Sequence, residues 1–396
     1  MDPVRNPFLP GAGAPPPELV GRDKIIGEVD TALRRMGSGR LARSKMLLGL
    51  RGTGKTVLLS HIAEMAVNDP EYATLTAQIE SPDENRFAEM LYPELHKILR
   101  KLSMMETAKA LSHTAMRTLR SFVGTLKLEH EGTILSVDPE VGSADSGDLE
   151  IDLADLFVSI GRAAKSGGQV FLLLVDEVQY LSQKELSALI RALHACNQKS
   201  LPVLFIGAGL PQITGLAGNA KSYAERLFEY HSIGAIGAED AKRAISDPIK
   251  EEGEQITEAA LDAISKETDG YPYFLQEWGY QVWNIADASP IDRADVETAT
   301  PLALKRLDNG FFKVRMDRLT PKEREYVHAM ASLPGPGPYR SGDIAEVLGE
   351  SSQRLGPRRS AIIRKGMIYS PEHGDTAFTV PGFAEYLCRT GFAESE

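Results

Sequence analysis

The sequence contains only two cysteines, Cys196 and Cys388, and no apolar run that approaches the roughly 18 residues needed to span a bilayer. Two distant cysteines provide neither a disulfide framework nor metal-ligand spacing, which predicts a reducing cytoplasm as the location. None of the eight histidines belongs to a cluster spaced like metal ligands. Residues 1–17 lack the apolar core of a signal peptide. The sequence therefore predicts a cytoplasmic protein with no membrane partner and no metal bound by histidine or cysteine.

The net charge of −11 in this chain of 396 residues is concentrated in one stretch. Residues 128–161 hold nine acids and no lysine or arginine, so the remainder is almost neutral. The stretch also contains proline, glycine and serine, which predicts a flexible acidic insertion at about residues 127–150. A docking surface for a basic partner is the alternative. Because local patches decide nucleic-acid binding, the overall acidity does not exclude such binding elsewhere in the chain.

A glycine-rich loop lies between a short apolar run and a helical pattern in residues 45–66. Gly49 and the sequence Gly54-Lys55-Thr56 fit the phosphate-binding loop GxxxxGK[ST] in its usual strand–loop–helix context. Glycines let backbone N–H groups surround a polyphosphate, and the helix N-terminus adds partial positive charge. Lys55 would reach the β- and γ-phosphates of ATP, and the Thr56 hydroxyl would bind Mg²⁺. A glycine-rich turn before a helix is the structural alternative. The residues predicted to bind ATP here are Gly49, Gly52, Thr53, Gly54, Lys55 and Thr56.

An unbroken apolar run, residues 170–175, ends in two adjacent carboxylates, Asp176 and Glu177. Such a run is typical of a central parallel strand covered on both faces, and ligands bind at the carboxyl ends of such strands. This is the Walker B pattern, in which Asp176 would hold the Mg²⁺ shell and Glu177 would polarise the attacking water. Capping of the helix predicted from about Ser182 is the alternative role for these carboxylates.

A Val-Gly-Arg-Asp box shortly before a phosphate loop resembles the entry segment of AAA+ ATPases. The chain as a whole resembles this family over nearly its full length, outside the leader and the acidic insertion. In that family the box lies against the adenine, which implies nucleotide contacts for Val20, Gly21 and Arg22. A plain loop and helix cap is the alternative. The sequence Gly270-Tyr271-Pro272 resembles the Gly-x-Pro signature of the STAND branch of the family. The signature implies that Pro272 belongs to a small helical lid that responds to the bound nucleotide through backbone contacts. The end of one helix and the start of the next would also explain the Gly-Tyr-Pro sequence.

Two positions bear on the hydrolysis chemistry that the resemblance implies. Many AAA+ proteins place a polar sensor at the end of the strand after Walker B, where this chain has Gly207-Ala208-Gly209. The absence of a polar residue there predicts that intrinsic ATP hydrolysis is not fast. Arg226 matches the place of the arginine finger in the origin-recognition-like branch, where such an arginine is worth about 10³ to 10⁵ in rate. An ion pair with Glu225 or Glu229 is the alternative, and the sequence leaves open whether Arg226 acts within one subunit or between two.

The pattern from about Phe311 to the end of the chain predicts a winged helix, with three helices followed by a hairpin. The first of these helices has Thr320 and Glu323 placed as a capping box. The third helix carries five bases and no acid, which makes it the best candidate surface for duplex DNA. Docking of a protein partner is the alternative function of such a domain. The predicted DNA-binding residues are Arg354, Arg358, Arg359, Arg364 and Lys365.

Strand–helix alternation predicts an α/β protein with a parallel sheet covered by helices on both faces. We expect a flexible leader at residues 1–17, a phosphate-loop domain at 18–237, a helical lid at 238–310 and a winged helix at 311–396, with the last strand of the sheet at residues 232–236. ATP and Mg²⁺ would act as a conformational switch whose output is DNA binding or remodelling. The alternative is a slow signalling ATPase whose winged helix docks a protein, and assembly into a homo-oligomer fits either function.

Overall fold

A computed structural model of the protein describes residues 1–11, 19–80, 86–126, 129–130, 133–134, 144–372 and 374–391. The chain divides into two compact units. The first, here called the sheet unit, consists of Arg22–Gly49 and Lys55–Ile233. The second, here called the helical unit, consists of Met1–Gly21, Leu50–Gly54 and Gly234–Glu396. The tip of the predicted phosphate loop therefore clusters with the helical unit, while the strand before it and the helix after it belong to the sheet unit.

The sheet unit contains a five-stranded parallel sheet with the strand order β2-β5-β6-β1-β7. A separate antiparallel pair, β3 with β4, lies within the predicted acidic insertion. The strands of this unit are β1 (Ser44–Leu48), β2 (Thr74–Glu80), β3 (Glu129–His130), β4 (Thr133–Ile134), β5 (Val170–Asp176), β6 (Val203–Gly209) and β7 (Phe228–Ser232).

Helices cover both faces of this sheet. Every residue of β5 and β6 is buried, including Phe171 and Leu172, whose side chains point to opposite faces. Helices α1 and α2 contact both central strands, as do α5 and α6 between them. This confirms the predicted parallel sheet buried between helices. The helices of this unit are α1 (Asp23–Gly37), α2 (Lys55–Asn68), α3 (Phe87–Ser103), α4 (Lys109–Leu126), α5 (Leu149–Ser166), α6 (Gln183–Gln198), α7 (Ile213–Ala220) and α8 (Ala224–Leu227).

The helical unit begins its C-terminal part with four helices packed around large aromatic side chains. Trp278 and Trp283 are each only 1% exposed and fill the centre of this cluster. A π-helical segment, Leu307–Phe312, connects these helices to the rest of the unit. The four helices are α9 (Ala238–Glu251), α10 (Glu258–Thr268), α11 (Pro272–Ile285) and α12 (Arg293–Arg306), and a short helix α13 (Lys313–Met316) follows the π-helical segment.

The remaining part of the helical unit has four helices and a small antiparallel sheet of strand order β8-β10-β9. Thr320 and Glu323 form the predicted capping box at the start of its first helix. The elements are α14 (Pro321–Ala331), β8 (Tyr339–Arg340), α15 (Ser341–Leu348), α16 (Ser352–Arg364), β9 (Ile368–Tyr369), β10 (Asp375–Phe378) and α17 (Phe383–Thr390). In the described part of the chain, no helix is both long and apolar enough to cross a membrane.

Residues 1–11 differ from the flexible leader that the sequence predicts. Phe8 is 1% exposed and lies against Gly279 of α11. The Asn6 amide donates to the carbonyl of Tyr280 at 3.0 Å. A leader that looks unstructured by composition is thus packed on the helical unit through one aromatic anchor, whereas residues 12–18 lie outside the described residues.

The predicted acidic insertion and the last strand also differ in detail. Residues 127–128, 131–132 and 135–143 of the insertion lie outside the described residues, and its part from Ala144 is described. There the buried carboxylate of Asp152 accepts hydrogen bonds from the backbone of Ser146 and Gly147 at 3.0 Å each. The last strand spans Phe228–Ser232, so the prediction of residues 232–236 was wrong. Its polar Glu229 obscured the strand pattern, but this carboxylate is paired with Lys45 at 2.5 Å.

Candidate nucleotide-binding and catalytic site

The carboxyl ends of β1 and β5 bring three of the predicted residues together in the sheet unit. Thr56, in the first turn of α2, donates its hydroxyl hydrogen to Asp176 Oδ2 at 2.5 Å. Lys55 begins the same helix and is 6% exposed. Asp176 is the last residue of β5 and is 5% exposed. A hydroxyl and a carboxylate thus face each other beside a buried lysine, at the end of the sheet where ligands bind in open α/β folds.

The environment of Asp176 suits a hard cation. Burial raises the pKa of its carboxyl above the usual 3.8, and the hydrogen bonds from Thr56 and the Glu177 backbone only partly oppose that shift. A nearby cation would stabilise the ionised form. Over the part of the chain that the structure describes, no group of three or more His, Cys, Asp or Glu side chains could hold a metal alone. Thr56 and Asp176 therefore fit a Mg²⁺ that takes its other oxygens from phosphate and water.

The tip of the phosphate loop, Leu50–Gly54, has the backbone of an anion cradle. Gly52 and Gly54 have φ of 85° and 86°, which glycine adopts at little cost. A Cβ on Gly52 would also lie 3.1 Å from Tyr273 Cβ. The Thr53 hydroxyl donates to the Leu50 carbonyl at 2.9 Å and closes the turn. Both the dihedral angle and the space require glycine at position 52.

The Gly-x-Pro segment contacts this tip directly within the helical unit. Pro272 is in the first turn of α11, and the residues on either side of it make the contacts. The Tyr271 hydroxyl donates to the Arg51 carbonyl, and the Tyr273 backbone N–H donates to the Gly52 carbonyl at 3.2 Å. Pro272 sets the helix start that positions these two tyrosines.

A second set of contacts joins the tip to the C-terminal part of the same unit. The Arg51 backbone N–H donates to the Thr379 carbonyl at 3.0 Å. The Tyr273 ring stacks on Phe311 with centroids 4.6 Å apart, and the Arg315 guanidinium lies 3.8 Å from the Phe311 centroid. Burial, together with the nearby charge of Arg51, lowers the pKa of Arg315 to about 10. The loop tip is therefore held by α11 and by the region after the π-helical segment.

The Val-Gly-Arg box is divided between the two units. Val20 is 8% exposed and belongs to the apolar core of the helical unit. Gly21 has φ of 74°, and a Cβ there would lie 3.1 Å from the Ile236 side chain. Arg22 is 7% exposed and precedes α1. The segment has the close packing expected of an entry segment, and its adenine contact stays a prediction.

Glu177 and Arg226 have different surroundings. Glu177 is in the left-handed region with φ of 53°, an uncommon conformation for a side-chain-bearing residue and one that is concentrated at functional sites. Its backbone N–H donates to Asp176 Oδ1 at 2.8 Å. Arg226 is exposed on α8 and forms no ion pair with any carboxylate that the structure describes. The alternative ion pair with Glu229 is absent there, since Glu229 pairs with Lys45.

Most of the predicted DNA-binding side chains are engaged within the protein. Arg359 donates to the Thr376 hydroxyl at 2.8 Å and to the Asp375 carbonyl at 2.6 Å. Two other bases form ion pairs, Arg358 with Glu350 at 3.0 Å and Lys365 with Glu323 at 2.6 Å. Arg354 and Arg364 are exposed, and neither has an ion pair with a described residue. The five-base patch is thus reduced to two available side chains.

Sequence reasoning missed three contacting residues of the site. Tyr271 and Tyr273 lie beside the recognised Pro272, but no pattern in the sequence predicts that their targets are Arg51 and Gly52. Gln179, two residues after Glu177, donates its amide hydrogen to the Glu177 carboxylate. Its place directly behind the paired carboxylates is the signal that could have drawn attention to it.

Comparison with known proteins gives two family matches. Residues 18–206 match the model described as an AAA ATPase domain, and residues 309–387 match a domain of unknown function, DUF8462. A comparison with curated proteins gave no match.

Several solved structures are similar over almost their whole length. The Walker-type ATPase of Pyrococcus abyssi is 14% identical, covers 93% of this chain and 96% of its own, and has a TM-score of 0.53. Cdc6p from Pyrobaculum aerophilum is 14% identical, with coverage of 98% and 97% and a TM-score of 0.49. The Thermotoga maritima RuvB Holliday junction branch migration motor is 15% identical, with coverage of 98% and 99% and a TM-score of 0.44. At these identities only the fold is informative, and only the first likeness is close enough to use. The family match thus supports an AAA ATPase domain at residues 18–206, and the first likeness supports a similar fold.

Proposed function

We propose that this protein is a Mg²⁺-dependent ATPase that works as a nucleotide-driven conformational switch. The observation that carries the proposal is the Thr56 hydroxyl 2.5 Å from the buried Asp176 carboxylate, at the start of a helix that opens with buried Lys55. Burial still raises the pKa of the Asp176 carboxyl despite its hydrogen bonds from Thr56 and the Glu177 backbone, so a bound cation would stabilise the charged form further.

Each residue of the site has a role in ATP binding and hydrolysis. The backbone N–H groups of Gly52, Thr53 and Gly54 surround the phosphates, and Lys55 binds the β- and γ-phosphates. Mg²⁺ held through Thr56 and Asp176 would neutralise charge on the phosphate oxygens. Glu177 orients a water whose oxygen bonds to the γ-phosphorus as the bond to the bridging oxygen breaks. ADP, inorganic phosphate and the water's proton are released.

The switch acts through the tip of the phosphate loop. Because Leu50–Gly54 clusters with the helical unit, a change in the loop on nucleotide binding acts on Tyr271, Tyr273 and Thr379 by hydrogen bonds. The winged-helix interpretation of residues 311–396 makes this region the output of the switch. ATP and ADP then favour different contacts of that region, and the difference in affinity drives the change.

A protein partner is the first candidate for that output. Residues 311–396 contain 12 lysines and arginines and 11 acids, so the region has almost no net charge. Three of the five bases of α16 and the following residue are also engaged internally. Both observations favour a STAND-like signalling ATPase over a DNA-remodelling one, since nucleic-acid binding depends on available cationic side chains.

Duplex DNA stays the second candidate because Arg354 and Arg364 are exposed on α16. Two phosphate contacts would give weak binding that is lost as the salt concentration rises. The exposed Arg226 in turn favours action on a neighbouring subunit, which would make the active form a homo-oligomer. The two cysteines, Cys196 and Cys388, fit a cytoplasmic location because neither needs oxidation for the fold.

The deciding experiment is ATP turnover by the full-length protein with and without duplex DNA at low salt. Turnover that requires Lys55 but is indifferent to DNA would support the signalling switch. Stimulation by DNA would instead make the C-terminal region a DNA sensor. No turnover and no ATP binding in the presence of Mg²⁺ would overturn the proposal.

A further inference from the structure

The amide of Gln179 connects the proposed catalytic carboxylate to a neighbouring strand. Its Nε2 donates a hydrogen bond to Glu177 Oε2. Its Oε1 accepts a hydrogen bond from the backbone N–H of Leu210 at 3.0 Å. The orientation of the amide is fixed by these partners, because a backbone N–H can only donate and a carboxylate can only accept. Gln179 therefore presents its NH₂ group to Glu177 and its oxygen to the residue after β6.

The glycines at the end of β6 leave the space that the Gln179 side chain and its neighbours occupy. A Cβ on Gly209 would lie 2.3 Å from Gln179 Oε1 and equally close to the Ile213 side chain. A Cβ on Gly207 would lie 2.9 Å from Val178 Cγ2. Contacts this short force a neighbour to move: Gln179 or Ile213 at position 209, and the Phe205 ring, 2.7 Å from such a Cβ, as well as Val178 at position 207. The Gly-Ala-Gly sequence, which replaces the polar sensor at this place, makes room for Val178 and Gln179.

The anchor of Gln179 is itself fixed to the phosphate loop. Gly209 lies opposite Leu48 in the parallel pair of β6 and β1, and its carbonyl accepts a hydrogen bond from the Gly49 N–H at 3.0 Å. Leu210 follows at once. The hydrogen bond from Leu210 to Gln179 thus holds the Glu177 carboxylate in a defined position relative to the first residue of the phosphate loop.

A carboxylate that activates a water molecule must be held in one orientation. The left-handed backbone of Glu177 does not by itself fix the orientation of its side chain. We propose that Gln179 is the positioning residue for Glu177 and supplies, from the turn after β5, the polar group that the end of β6 lacks. This inference rests on the proposed ATPase function. It predicts that hydrolysis, but not ATP binding, depends on the Gln179 amide.

The test compares two substitutions at this position in the full-length protein. Gln179→Leu removes both hydrogen bonds at similar size. Gln179→Glu keeps an acceptor for Leu210 but replaces the donor with a second carboxylate next to Glu177. Both should lower turnover at saturating ATP by about 10- to 100-fold, the usual effect of misplacing a catalytic group, while the Kd for ATP stays within about twofold. Gln183→Leu, at an exposed glutamine on α6, is the matched control and should leave turnover unchanged.

A double variant separates positioning from a structural role. In the Glu177→Gln background, Gln179→Leu should cause no further loss of turnover, because residues that act as one unit are not additive.

Three results would overturn the inference. The first is unchanged turnover in Gln179→Leu. The second is increased turnover, which would mean that Gln179 restrains Glu177. The third is a loss of ATP affinity or thermal stability in both variants that parallels the loss of turnover, which would mean a structural role. If either single variant is unstable, the stable one decides between these results. Failure of the ATPase proposal itself would look different, since the unsubstituted protein would then not hydrolyse ATP.

Discussion

The backbone N–H of Arg51, in the phosphate loop, donates a hydrogen bond to the carbonyl of Thr379, more than three hundred residues later, at 3.0 Å. Arg51 and Thr379 belong to the same compact unit, although the strand before the loop and the helix after it belong to the other unit. A single hydrogen bond of this kind contributes about 1 kcal/mol to stability. Its value to the proposed function lies in its location, because it ties the loop to the region that would act as the output.

Lys55→Ala should abolish ATP binding and leave the fold intact. The lysine charge is directed to the phosphates and its loss cannot be replaced by the loop's backbone amides. Binding of a fluorescent ATP analogue measures the effect, and circular dichroism checks the fold. Lys184→Ala, at an exposed lysine on α6, is the control and should bind as the unsubstituted protein does. Unchanged affinity in Lys55→Ala would rule out the phosphate-loop assignment.

Tyr271→Phe should lower the stability of the protein by about 1 kcal/mol and weaken the influence of nucleotide on the C-terminal region. The substitution keeps the ring but leaves the Arg51 carbonyl without the tyrosine hydroxyl. Hydrogen exchange of residues 375–380 with and without ATP is the measurement, and the nucleotide-dependent difference should shrink. Tyr369→Phe removes the hydroxyl of a half-buried tyrosine on β9 and is the control. An undiminished difference in Tyr271→Phe would show that the coupling takes another route.

The parts of this site that the sequence predicts are those carried by local motifs on a regular sheet. The phosphate loop and the pair Asp176 and Glu177 each follow an apolar run. Because β1 and β5 both end at the same edge of the parallel sheet, Thr56 and Asp176 were expected to meet. Helix starts with a polar cap, such as Thr320, were predictable for the same local reason.

Contacts between residues far apart in sequence were not predictable. Nothing in the residues around Thr379 or Tyr271 identifies Arg51 as their partner, since a backbone carbonyl accepts from any donor. The same limit explains the basic helix α16. Five bases in one stretch suggested a DNA surface, but Glu350, Glu323 and Thr376, which engage three of them, lie on other elements. Charge counted along a sequence does not include such intramolecular partners.

The ion pair between Lys365 and Glu323 should give the protein a pH-dependent stability term. Burial alone would raise the pKa of Glu323, but its hydrogen bonds with Lys365 and with Thr320 outweigh that effect and lower it. A lowered pKa means that the carboxylate contributes stability above its unfolded pKa near 4.5 and loses that contribution as the pH falls through the folded value.

Lys365→Met should therefore destabilise the protein at pH 7 by about 1 kcal/mol, with a difference that shrinks as the pH falls below about 4. Urea unfolding at several pH values is the measurement. Lys322→Met is the control because its ion pair with Glu325 is on the exposed face of α14 and should contribute little. A difference between Lys365→Met and the unsubstituted protein that is independent of pH would show that the ion pair is not responsible.

Arg354→Glu together with Arg364→Glu is the proper test of DNA binding. These are the two exposed bases of α16, so charge reversal removes phosphate contacts without breaking an internal ion pair. If DNA is the partner, affinity at low salt should fall at least about tenfold, and the salt dependence should become shallower by about two contacts. Arg359→Glu is unsuitable for this purpose, since it would also break the hydrogen bonds to Thr376 and the Asp375 carbonyl and destabilise the sheet β8-β10-β9. If the unsubstituted protein binds no DNA at low salt, duplex DNA is excluded as the partner, and Arg354 and Arg364 become candidates for contact with a protein.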